Sequence, residues 1–106
     1  MEADTSALLA VLDDVRALMA RDDNDYSWSS FPDAGAALEE IDRLATVVRG
    51  GGVPAGLGIL FLPTGPVQEV AISSGWGDEF LALADRFDAA MAGRGLTGRA
   101  HIRQAI

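Results

Sequence analysis

The sequence predicts an α+β domain of order ααββα: two N-terminal helices, an antiparallel β-hairpin and a third helix. Three observations predict it. Three segments repeat apolar residues at three- and four-residue spacings, two short apolar runs lie between the second and the third, and Gly or Pro clusters punctuate the junctions. A chain of 106 residues suits one domain with a modest single core.

The first helix is expected over 4–21. Leu8, Val11, Leu12, Val15, Leu18 and Met19 make one stripe, Asp13, Asp14 and Arg16 lie outside it, and Asp4, Thr5 or Ser6 supplies a cap. Residues 22–32, DDNDYSWSSFP, break the period. Asp and Asn compete for backbone hydrogen bonds, so this stretch reads as a loop. Pro32 and Asp33 then suit a helix start, and Leu38, Ile41, Leu44, Ala45 and Val48 form the second stripe. Gly50-Gly51-Gly52 ends it.

Residues 57–62, LGILFL, are short, apolar and bounded by Gly and Pro, which reads as a strand. Residues 63–66, PTGP, read as a turn. Residues 67–73, VQEVAIS, roughly alternate and read as the returning strand, with Pro66 marking an edge or strand terminus. The third helix opens at Gly77-Asp78-Glu79, with Ser74 as candidate cap and two acids where the macrodipole favours anions. Phe80, Leu83, Ala84, Phe87 and Met91 are its core face, and Gly93 and Gly95 stop it. Residues 93–106 are expected as a mobile tail or, over 97–104, a short third strand.

A lone hairpin is marginal in water and leaves open edges. That predicts either a tail strand completing the sheet or a homodimer pairing the hairpin edges of two copies. Net charge is −8, concentrated at net −7 in residues 1–49, and every cation is Arg. Such a chain repels nucleic acid and anionic membrane, and favours a basic protein partner. Cysteine is absent, which removes disulfides, thiol nucleophiles and Cys-ligated zinc. No stretch approaches the ~20 apolar residues of a membrane span, and the N-terminal apolar run is flanked by acids rather than by a basic start. Both points predict a cytoplasmic protein.

Asp22, Asp23 and Asp25 invite a calcium-loop reading, but the register from Asp23 puts Trp28 where Gly belongs and Ala34 where the bidentate Glu belongs. Gly50 to Gly56 lacks the lysine and hydroxyl of a phosphate loop and precedes a strand-like run. Ser73-Ser74-Gly75-Trp76-Gly77 lies at a strand-to-helix junction, yet no glycine stands two residues before either serine. The single histidine, His101, has no spacing relation to Ser74, Asp78 or Glu69 that suggests a triad. With one His and no Cys, a transition-metal site is not expected, and neither is a cofactor.

What remains are aromatics at junctions. Trp76, between two glycines, is expected as a wedge in the core or a contact residue. Trp28 and Phe31 are expected either to staple the loop to the second helix or to form a recognition surface. The sequence therefore predicts a small acidic interaction module of inhibitor, adaptor or immunity type. Its candidate contact residues are Trp28, Trp76, Asp22, Asp23 and Asp25. The alternative is a small-ligand binder or enzyme with a pocket beside Trp76.

Overall fold

The computed structural model describes residues 2–54, 56–62 and 65–93, which form five helices. In chain order these are α1 (Glu2–Met19), α2 (Ala34–Arg49), α3 (Gly56–Leu60), α4 (Pro66–Ser74) and α5 (Gly77–Gly93). No strand occurs among the described residues, so the predicted α+β class is corrected to all-α. The tail strand over 97–104 lies outside the described residues.

The hairpin is where the sequence reading fails. LGILFL and VQEVAIS contribute α3 and α4 instead. Buried positions reveal the period: Leu57, Leu60 and Phe61 follow i, i+3, i+4, as do Val67, Val70 and Ala71. Ile72, which the alternating pattern placed beside Val70 on one face, is 67% exposed. Pro66 is the first residue of α4, where its missing N–H costs nothing, and Glu69 lies in the first turn. Gly75 ends α4 with φ of 86°, and the Gly75 and Trp76 amides both donate to the Ala71 carbonyl. These start and stop signals are helical; in the strand reading they passed for hairpin punctuation. Helices also close their own backbone hydrogen bonds, so the unpaired edges disappear. With them goes the physical motive for a homodimer through a hairpin edge.

The long helices follow their apolar stripes. α1 buries Leu8, Val11, Leu12, Val15 and Met19; it already starts at Glu2, so Asp4, Thr5 and Ser6 lie inside it. α2 buries Ala37, Ile41, Leu44, Ala45 and Val48, with Asp33 as its cap: Asp33 Oδ1 accepts from the Ala36 N–H at 2.8 Å. α5 buries its predicted face together with Ala90.

α1 is the central element, packing on both α2 and α5, while α4 packs on α5 and α3 on α4. The exposed ion pairs Arg16–Asp42 and Arg86–Asp14 lie at the two interfaces of α1. Phe61, just after α3, stacks on Phe87 at 4.5 Å between ring centroids and lies 6.3 Å from Phe80. That cluster fastens the short α3 to α5. No polar or charged residue is buried among the described residues.

Candidate interaction loop

The segment between α1 and α2, residues 20–33, carries four of the five predicted contact residues. It has no fully buried residue, yet it is bonded at many points. At its root it closes the C-terminus of α1, whose last carbonyls lack helical partners. Asn24 Nδ2 donates to the Leu18 carbonyl at 2.7 Å, and the Tyr26 hydroxyl donates to the Met19 carbonyl. Tyr26 and Phe31 are partly buried and pack against the core. Burial is the main reason that the Tyr26 phenol sits above its ordinary pKa; its hydrogen bond with Asn24 opposes the shift, and the Asp33 carboxylate adds to it. The phenol is therefore a proton donor at neutral pH.

Farther out, the loop is fastened to the other half of the chain. Asn24 Oδ1 accepts from Trp76 Nε1 at 2.9 Å. Ser74 Oγ accepts from the Asp25 N–H at 2.8 Å, and Ser29 Oγ donates to the Pro66 carbonyl at 2.9 Å. Ser74 and Pro66 are the last and first residues of α4, so residues 25–29 run along that helix in the opposite direction. The two ends of the Asn24 amide are fixed by their partners. An indole N–H can only donate and a carbonyl can only accept, which sets Oδ1 toward Trp76 and Nδ2 toward Leu18.

Trp28 stands on this fastened stretch. A backbone bond from the Ser29 N–H to the Tyr26 carbonyl at 3.1 Å closes a turn, with Ser27 and Trp28 at its centre. Asp25 Oδ1 accepts from the Ser27 N–H at 2.9 Å and steadies the turn from the other side. Hydrogen bonds from Ser27 hold the Asp25 carboxyl below the usual carboxylate range. The Trp28 side chain is 74% exposed. Exposed leucines are ordinary, but a Trp places far more apolar area in water.

The predicted residues thus divide. Trp76 is 1% exposed, which makes it a core wedge. Phe31 and Tyr26, rather than Trp28, are the loop aromatics that pack inward. Asp22 and Asp23 are exposed, and Asp25 is half-buried. Asp22, Asp25, Asp33, Asn24 and Tyr26 help to line an open depression of about 550 Å³. Among the described residues, no group of three His, Asp or Glu side chains could hold a metal ion. Ser74, weighed as a nucleophile and as a cap for the last helix, is the final residue of α4 and accepts the Asp25 amide instead. His101 lies outside the described residues.

Sequence reasoning missed Asn24, Ser29 and Ser74 as the fastening residues. The available signal was the dual chemistry of Asn24, a donor and an acceptor on one short side chain at a helix end. No family model, curated protein or solved structure matches this chain.

Proposed function

We propose that the protein is a non-catalytic partner-binding domain whose contact face is the α1–α2 loop. The observation that carries this reading is Trp28, largely exposed on a turn that is bonded to both ends of α4. An aromatic held this way loses little conformational entropy on binding, and Trp is among the residues most enriched at binding hot spots. The exposed Asp22 and Asp23 of the same loop, together with the chain's net charge of −8, favour a basic protein surface as partner. Carboxylates at the rim would speed encounter and set salt dependence, while Trp28 would supply affinity. No helix among the described residues is long and apolar enough to cross a membrane.

The test is affinity capture from source lysate with the wild-type protein, Trp28→Ala and the Asp22→Asn/Asp23→Asn/Asp25→Asn triple variant in parallel. Wild type should retain a basic protein. Trp28→Ala should weaken purified binding by at least about 30-fold, the effect of losing a hot-spot residue of ~2 kcal/mol. The triple variant should chiefly slow association and flatten its salt dependence. Equal retention by wild type and Trp28→Ala would refute the assignment of this face.

A further inference from the structure

We infer that residues 22–31 form a detachable strap, latched by Asn24, that releases from α4 and Trp76 as one unit while the helices stay folded. The strap is built differently from the rest of the chain. Residues 20–36 are the longest described stretch without a buried side chain, whereas every helix contributes buried side chains to the apolar core. What holds the strap down at its far side is three neutral hydrogen bonds across 37 to 52 residues of sequence. Releasing it costs the partly buried contacts of Tyr26 and Phe31 but exposes no fully buried side chain, and it returns conformational freedom to the loop, which places it below the helices in stability.

Two features make the release collective. Asn24 uses one amide for two bonds, so rotating away from Trp76 also disturbs its bond to the α1 terminus. Asp25, the next residue, is bonded to Ser74, only two residues from Trp76. One excursion of the backbone at 24–25 must break both contacts. The consequence falls on Trp76. Its indole N–H, inside a side chain that is 1% exposed, has Asn24 as its acceptor and gains water only when the strap lifts. The strap carries one tryptophan outward and covers the donor of the other. A ligand that pulls on Trp28 would be reported at Trp76. The inference does not depend on what that ligand is.

Amide and indole hydrogen exchange on the wild-type protein tests it. The Trp76 indole N–H and the Asp25 amide should exchange with one shared opening equilibrium, faster than amides in the middle of α1 and α5. The Trp28 indole serves as the unprotected reference. Ser74→Ala, which removes the acceptor of Asp25 and leaves the Trp76–Asn24 bond intact, should accelerate the Trp76 indole proton by about fivefold, the ratio for one ordinary hydrogen bond. Ser29→Ala at the far end should do the same without touching either partner. Far-UV dichroism should show unchanged helicity in both variants. Acceleration at Asp25 alone, or Trp76 exchange only at the rate of the helical core, would overturn the strap.

Discussion

Asn24 does more for this molecule than any of the charged residues around it. Removing its side chain would leave the buried Trp76 donor without its acceptor, and an unpaired buried polar group costs more than a hydrogen bond contributes. The flanking aspartates are conspicuous in the sequence, while Asn24 in the middle of Asp-Asp-Asn-Asp looks like one more turn former. Its importance comes from a partner 52 residues away, which no local pattern encodes. The two glycines around Trp76 show the converse. Both were legible as punctuation, but only Gly75 has a left-handed backbone, with φ of 86°. A Cβ at Gly75 or at Gly77 would meet no atom within 4 Å, so conformation alone separates them. Gly75→Ala should destabilise by about 1 kcal/mol, the cost of forcing an L-residue into that region. Gly77→Ala should be neutral or raise stability by up to ~1 kcal/mol, because it restricts the unfolded chain. Urea midpoints of the two variants, measured side by side, check the contrast.

At the scale of elements, the informative pair is α3 and α4. Each is short enough that an apolar run fits a strand or a helix equally well, and the bounding Gly and Pro suit either a hairpin turn or helix ends. The deciding contacts are tertiary: Phe61 against Phe87, and the packing of α4 on α5. Gly65 makes the tight join between the two helices. A Cβ there would stand 2.8 Å from the Leu62 carbonyl oxygen and 2.9 Å from that of Ile59, both backbone atoms that cannot swing aside. Gly65→Ala should therefore destabilise the protein by about 1–3 kcal/mol, as overpacking does. The loss should appear in the thermal midpoint, with far-UV dichroism still helical below it.

For the whole molecule, α1 is the organising element, with α2 on one side and α5 on the other. Its interfaces are apolar, and the Arg16–Asp42 and Arg86–Asp14 pairs sit at their exposed rims, where ion pairs contribute little and lose strength in salt. The signature of the Arg16–Asp42 pair is a pH dependence. The Arg16 guanidinium holds the Asp42 carboxyl below the usual carboxylate range, as Arg43 does for Glu40. A folded-state pKa that is depressed adds stability above the unfolded value, near 4, and that stability fades as pH falls through the lower folded value. The stability difference between wild type and Asp42→Asn should thus be present at neutral pH and shrink below about pH 4. Urea titrations of both proteins across that range measure it, and high salt should shrink the difference at neutral pH as well. Comparing the variant with wild type matters, because protonating an acidic chain also relieves self-repulsion.

The sequence by itself determined the three long helices, the start of α2 near Asp33, the glycine stop after α2, and the acidic character of the N-terminal half. These rest on local physics: a 3.6-residue period over four or more turns, side chains that satisfy helix ends, and charge that is simply counted. Only the tertiary structure decided that residues 57–60 and 66–74 are helical, that Trp76 is covered while Trp28 is presented, and that Asn24 joins the loop to both halves of the chain. Each of those outcomes depends on a partner distant in sequence. A short apolar run or a lone aromatic has two local solutions of similar free energy, and burial against a particular neighbour selects one.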